Sequence, residues 1–145
     1  MERLLRLYRD WSGSEPASSV LLPLSGSARK YYRMTGEGGG VVGCIGTNPA
    51  ENRAFLELDA QFCRRGLHAP AVYGVSSDGM AYLQEDLGDG QLFALLEPAL
   101  ADGTFSREQR DWLHDTVALL PAVQFKVGEG FDWSVCFPDR EFNAR

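Results

Sequence analysis

Leu24-Ser25-Gly26-Ser27-Ala28-Arg29-Lys30-Tyr31-Tyr32-Arg33 decides how this 145-residue chain is read. It joins two strand-like runs across a loop of small residues. Upstream, Ser18 to Leu24 holds Val20, Leu21 and Leu22 and reads as a strand. Downstream, Arg29 to Met34 carries Tyr31 and Tyr32, which favour strand. Thr35-Gly36-Glu37-Gly38-Gly39-Gly40 is a flexible hairpin connection. Val41 to Ile45 is a further short strand, weakened by Gly43.

Outward from this core the signals alternate. Asn48 is a good N-cap, Pro49 suits a first helical turn, and Glu51 sits three residues after the cap. Phe55, Leu58 and Phe62 follow at helical spacing, and Gly66 reads as the stop. After Pro70, Ala71 to Val75 and Met80 to Glu85 read as strands around the turn Ser76-Ser77-Asp78-Gly79. Met1 to Trp11 reads as an amphipathic helix with Leu4, Leu7, Tyr8 and Trp11 on one side, closed by the breakers Ser12 to Pro16. Beyond Asp89-Gly90 the period turns helical. Leu92, Phe93, Leu96 and Leu100 form one apolar face. Ser106 and Gln109 spell a capping box before a second helix with Trp112, Leu113, Thr116, Val117 and Leu120 as its buried stripe. Pro121 ends or kinks that helix. The expected class is α+β: an antiparallel sheet of five strands, one packed helix, then C-terminal helices.

Composition narrows the chemistry. A net charge of −6 argues against a nonspecific nucleic-acid surface. No stretch approaches the ~20 apolar residues of a membrane span, and the N-terminus lacks the unbroken apolar core of a signal peptide. Cys44, Cys63 and Cys136 are scattered, so neither a zinc pattern nor a disulfide framework is read, and reduced cytoplasmic thiols are expected. His68 and His114 are too few for a metal site. Asp10, Ser12 and either histidine have no triad spacing.

Three places can carry function. The loop Ser25-Gly26-Ser27-Ala28 lets backbone N–H groups approach phosphates closely, with Ser25 and Ser27 as hydroxyl donors and Arg29 and Lys30 as charge; it also reads as a plain hairpin turn. It is not a Walker loop, which ends in Gly-Lys-Ser/Thr, nor the full protein-kinase glycine loop. Glu51 is either the third residue of a capping box or a buried carboxylate facing the sheet above Phe55, Leu58 and Phe62 and pairing with a lysine that holds nucleotide phosphates. Gln84-Glu85-Asp86-Leu87-Gly88-Asp89 reads as a solvated strand end or as extended backbone offered to a planar base. Adjacent strand residues face opposite ways, which speaks against Glu85 and Asp86 sharing a metal or acid/base site.

The order of these signals carries a resemblance. Leu22-Pro23-Leu24 through Arg33, Glu51-Asn52-Arg53-Ala54-Phe55, Gly66-Leu67-His68-Ala69-Pro70-Ala71-Val72-Tyr73 and Tyr82-Leu83-Gln84-Glu85-Asp86-Leu87-Gly88 together resemble the nucleotide-binding N-lobe of the aminoglycoside phosphotransferase and choline kinase-like superfamily, near its bacterial amino-sugar kinase branch. The resemblance covers about Ser18 to Leu96. It implies a protein-kinase-like N-lobe at residues 18–90, preceded by the amphipathic helix at 1–17 and followed at 91–145 by the helical start of a C-lobe. It also implies ATP and Mg²⁺ as cofactors and a sugar or amino-sugar hydroxyl as acceptor. Ser25, Gly26, Ser27 and Arg29 would cover the phosphates, Glu51 would be the helix glutamate, and Gln84, Glu85 and Leu87 would line the adenine side, chiefly through backbone.

Two departures temper the expectation. Val41 to Ile45 has no lysine to pair with Glu51, so Arg29 or Lys30 would substitute. No His/Arg-x-Asp catalytic loop is present, so no catalytic residue or metal ligand is assigned, and the chain is expected to be the N-terminal part of a longer enzyme, inactive by itself. The aromatic residues Phe131, Trp133, Phe137 and Phe142 want burial worth about 1.5–3 kcal/mol each and would dock on further protein. The rival expectation is a non-catalytic kinase-like interaction or regulatory module. A third is a domain that pairs with itself through the aromatic tail.

Overall fold

The computed structural model describes residues 1–23, 26–126 and 128–138, with Asp102 and Lys126 described by backbone alone. The elements run α1 (Glu2–Ser12), β1 (Ser18–Leu21), β2 (Lys30–Gly36), β3 (Gly39–Ile45), α2 (Pro49–Arg64), β4 (Val72–Val75), β5 (Ala81–Glu85), α3 (Leu92–Asp102) and α4 (Arg107–Pro121). A π-helical turn, Ala122–Lys126, continues α4, and a 3-10 turn spans Trp133–Val135. Their contacts form two compact units: Met1–Asp86 with the chain from Asp132 onward, and Leu87–Phe131.

The first unit is an α+β layer built on an antiparallel sheet of five strands in the order β1-β2-β3-β5-β4. The hairpins are local, but β3 pairs with β5 across the whole of α2, with Gly43 opposite Leu83 and Cys44 opposite Tyr82. The register divides the central strands into two faces, because side chains alternate along a strand. One face carries Tyr32 and Met34 of β2, Val41, Gly43 and Ile45 of β3, and Ala81 and Leu83 of β5. The other carries Tyr31 and Arg33, Val42 and Cys44, and Tyr82 and Gln84.

α1 covers the first face. Its Leu4 and Tyr8 are fully buried with Met34, Val41, Ala81 and Leu83, and Leu5, Leu7 and Trp11 pack around them. The Tyr8 hydroxyl donates to the Gly39 carbonyl at 2.8 Å, and Trp11 stacks on Tyr73 with ring centroids 5.3 Å apart. Gly43, a weakness by strand propensity, is required here: a Cβ at this position would lie 2.8 Å from a Leu4 methyl. The strand gives up a side chain so that the helix can approach.

α2 begins as expected, with the Asn48 side chain accepting from the Ala50 N–H at 2.9 Å. Its aromatic stripe is only half-buried; the deeply buried residues are Asn52, Ala54, Asp59 and Gln61. Asn52 explains why polar residues go inside. Its amide donates to the Gly79 carbonyl at 2.9 Å, and a Cβ on Gly46 would lie 2.3 Å from its side chain. The helix is thus pinned to a turn by its side chain rather than by apolar packing alone.

The second unit contains α3 and α4. The expected capping box is present, with Ser106 accepting from the Gln109 N–H and Gln109 returning to the Ser106 N–H. Gln109 also donates to the Leu95 carbonyl at 2.9 Å, tying the helices together. The expected apolar stripes are corrected by the burial. Leu96 and Ala99 are buried, whereas Phe93 and Leu100 of α3 and Val117 and Leu120 of α4 are exposed. Trp112 and Leu113 are half-buried. Two adjoining helices bury one seam, too narrow for every apolar residue that helical spacing aligns.

Candidate functional site

The sheet face away from α1 is where the sequence-predicted residues meet. Ser25 lies outside the described residues. Gly26 is exposed in a bend, and Ser27 is half-buried. The Ser27 hydroxyl accepts from the Arg29 N–H at 3.2 Å, which turns the loop back on itself and delivers Arg29 to the sheet.

Arg29 is the centre of the arrangement. Its Nη2 lies 3.0 Å from Glu51 Oε1, with the arginine side chain 12% exposed and the glutamate 36%. The same nitrogen donates to the Glu51 carbonyl at 3.3 Å. The guanidinium also sits 5.2 Å from the Phe55 ring centroid, a cation–π contact. Glu51 therefore sends its carboxylate to Arg29 instead of closing a capping box over Asn48. Lys30, the other proposed partner, is exposed and in the opposite strand phase, opposite Ile45 on the α1 side. Burial pulls the Arg29 pKa down, but Tyr31, Tyr82 and Glu51 together outweigh it, and the net shift is upward. The charge is fixed over any working pH.

Around this cation the sequence reading missed a cage. Tyr31, Cys44 and Tyr82 lie side by side across three strands, and Phe55 of α2 stacks on Tyr82 with centroids 5.3 Å apart. Burial pushes the Cys44 thiol up, against the opposing influence of Tyr82, Arg29 and Tyr31, so it stays a thiol. Burial likewise drives the Tyr82 phenol up, and its neighbours Cys44 and Tyr31 add to the shift. The Tyr82 hydroxyl and Arg29 Nε are both buried without a hydrogen bond of good geometry. The available signal was period two: Tyr31, Cys44 and Tyr82 each fall on the strand phase that α1 does not cover.

One row further along the sheet, Arg33 makes a two-pronged ion pair with Asp86, Nε to Oδ2 at 2.6 Å and Nη2 to Oδ1 at 3.0 Å. Planar forks of this kind are the strong geometry for such pairs. Gln84 shares this face, and its Oε1 is buried without a partner. Glu85 belongs to the opposite phase: its carboxylate accepts from the Ala71 N–H at 3.2 Å and fastens the edge strand. Leu87 opens the second unit and is 68% exposed. The structure thus joins Ser27, Arg29 and Glu51 in one cluster, sets Gln84 on the same face, and gives Glu85 a structural bond.

Two grooves open elsewhere on the first unit. One, of about 1040 Å³, runs between α1 and the β4–β5 turn. The other, of about 670 Å³, lies between the outer face of α2 and residues 132–137. Of the tail aromatics Phe137 lines this second groove, yet it and Trp133 stay exposed. Among the described residues no group of three or more His, Cys, Asp or Glu is placed to hold a metal ion, no helix is long and apolar enough to cross a membrane, and Cys44, Cys63 and Cys136 are free thiols.

No protein-family model matches the chain, and no curated protein matches it. Chemically, the cluster is a fixed guanidinium whose buried Nε lacks a partner, beside a small-residue loop. It suits an anionic oxygen ligand and contains no activated nucleophile, because its thiol is neutral.

Proposed function

We propose that the chain is the ATP-binding N-terminal portion of a small-molecule phosphotransferase, with a kinase-like N-lobe and a sugar or amino-sugar hydroxyl as acceptor. The carrying observation is the Arg29–Glu51 ion pair, 3.0 Å long, directly after the Gly26–Ala28 bend. A helix carboxylate that holds a cation beside Tyr31, Phe55 and Tyr82 is an arrangement that suits the positioning of nucleotide phosphates. Arg29 would take the role of the lysine that β3 lacks. Its free Nε supports this, because a buried donor left unpaired costs about 1–3 kcal/mol and a phosphate oxygen would satisfy it. Gly26, Ser27 and the undescribed Ser25 would cover the phosphates, and Gln84 offers an unpaired acceptor to a base. Mg²⁺ finds no ligand set among the described residues, and the sequence has no His/Arg-x-Asp loop. Phosphoryl transfer would draw on groups this sequence does not carry.

Calorimetry with ATP and Mg²⁺, comparing the wild-type chain with Arg29→Ala, tests the reading. Saturable binding that the substitution abolishes supports it; no binding by the folded wild type sinks it. A second reading, a non-catalytic kinase-like interaction or regulatory module in the cytoplasm, is favoured by Cys44. This buried, neutral thiol stands on the strand where a lysine is expected. A folded chain indifferent to nucleotide is its expected signature.

A further inference from the structure

We infer that Asp59 is a proton-operated latch: as the neutral acid it lets the second half of α2 lie on the sheet, and as the carboxylate it favours lifting that half away. The inference stands apart from the nucleotide reading and needs no ligand for its test. Asp59 is 8% exposed. Helical spacing sets it on the arc between Asn52 and Phe55. Both of those reach the sheet side, Asn52 to the Gly79 carbonyl and Phe55 onto the Tyr82 ring. Asp59 therefore enters the layer between helix and sheet and not the groove on the other side of α2, whose lining omits it. The same two contacts show that α2 advances along β5. One helical turn past Phe55, about 6 Å, brings Asp59 level with Gln84, which follows Tyr82 by about 7 Å along the strand.

Among the described residues Asp59 has no hydrogen bond and no ion pair. The sheet face it meets carries Tyr31, Cys44 and Tyr82, and its two cations, Arg29 and Arg33, are engaged by Glu51 and Asp86. β4 turns Val72 and Val75 to this side by its register. Behind α2, Asp132 accepts from the Ser134 N–H. Of the groups that follow along the chain, Cys63 and His68 are exposed and Arg65 donates to the Gln61 carbonyl. A carboxylate buried without a partner is disfavoured against its neutral acid, and burial accordingly pushes the Asp59 carboxyl up. The latch also has a hinge. Glu51, Asn52 and Phe55 tie the first half of α2 to the sheet side. Beyond Phe55 no side chain of the helix is hydrogen-bonded or ion-paired to a strand among the described residues. Lifting the last turns therefore hydrates Asp59 and leaves Glu51 in place. Below about pH 4 the carboxyl is neutral whether the helix lies down or is lifted, and the latch is closed. As pH rises toward the raised folded-state value, the lifted state loses its proton first, so the hold on this half weakens.

Amide hydrogen exchange, corrected for intrinsic rates, compares wild type with Asp59→Asn at about pH 8 and about pH 4. At the higher pH, Leu56 to Arg64 are expected to exchange at least about fivefold more slowly in the variant, with the α1 amides alike. At the lower pH the two proteins are expected to coincide. A difference of equal size at both pH values overturns the inference, because it assigns the effect to something other than charge. So does the lack of any difference, and so does a change shared by α1, which marks the whole fold. If Asp59→Asn does not fold, wild type alone decides through an NMR titration of the Asp59 carboxyl. A midpoint above the ordinary carboxylate range, with exchange of residues 56–64 accelerating through it, supports the latch; a midpoint within or below that range overturns it. No nucleotide enters either measurement, so the calorimetry that tests ATP binding succeeds or fails independently.

Discussion

The two faces of the sheet are made of the same strands and behave differently. Toward α1 the side chains are Met34, Val41, Ala81 and Leu83, fully buried against Leu4 and Tyr8. Toward α2 they are Tyr31, Arg33, Cys44, Tyr82 and Gln84, with two ion pairs and buried polar atoms that lack partners. One face is satisfied by packing. The other holds charge in fixed positions and leaves hydrogen-bonding capacity unused. Buried polar groups are normally paired, so unpaired capacity concentrated on one face marks where a ligand is expected, while the opposite face supplies the stability that tolerates it.

Substitutions on the two faces test that division. Leu4→Ala carries the largest expected effect on folding, about 2–5 kcal/mol, with Gly43→Val next at about 1–3 kcal/mol through overpacking of the same contact. Urea unfolding measures both. A loss below about 1 kcal/mol for Leu4→Ala would mean that α1 is an accessory to the sheet and not its core. On the other face, Arg29→Ala is expected to reduce stability by no more than about 1 kcal/mol, because Glu51 remains partly solvated. Under the proposed function, its affinity for ATP falls by at least about tenfold. A variant that unfolds instead would erase the distinction between the faces.

The thiols give a finer comparison. Cys63 is exposed, Cys136 intermediate and Cys44 buried, and Cys44 is further protected by its raised pKa. Alkylation monitored by mass is expected to proceed in that order, with Cys44 slower than Cys63 on the order of 100-fold, since it reacts only through local opening. Comparable rates would show that the α2 face is loosely closed. The smallest effect belongs to Asp78. Arg3, then Ser76 and the Met80 N–H, hold its carboxyl at about 2. A lowered folded-state value adds stability above the ordinary carboxylate range, and that stability is lost as pH falls from about 4 toward 2. Asp78→Asn is therefore expected to unfold slightly more easily than wild type at neutral pH, with the gap closing in acid and shrinking in salt. A gap independent of pH would assign the effect to the turn's hydrogen bonds alone.

Much of the secondary structure was legible because its signals are local. Asn48 and Ser106 with Gln109 specify helix starts through side-chain-to-backbone bonds a few residues long, and glycine clusters mark the hairpins. β2 extends two residues beyond the expected Met34, and β3 starts two residues before Val41, because Gly36 and Gly39 pair across a two-residue turn. Glu51 and Arg29 could both be named, since charge beside a small-residue loop is visible in sequence. Choosing Arg29 over Lys30 needed the strand phase. The β3–β5 pairing and the docking of α1 on Gly43 were not legible, because they join distant segments through shape. The pairing of the Gln61 side chain with the Asp132 backbone left no pattern at all: it recognises backbone, and backbone carries no residue identity. The apolar stripes of α3 and α4 were read too wide, since spacing shows which residues align and not how many have a neighbour.

The turn between β4 and β5 is held from both sides of the sheet. Arg3 of α1 reaches Asp78 at 2.6 Å, and Asn52 of α2 donates to the Gly79 carbonyl at 2.9 Å. Within the turn, Asp78 accepts from the Ser76 hydroxyl and the Met80 N–H. Loop tips are ordinarily where a fold accepts insertions and where sequences drift. Here two successive residues serve as a common bearing for helices that lie on opposite faces of the sheet. A lengthened turn would break the Arg3–Asp78 and Asn52–Gly79 contacts together, so this short surface hairpin should tolerate insertion less well than an ordinary loop tip.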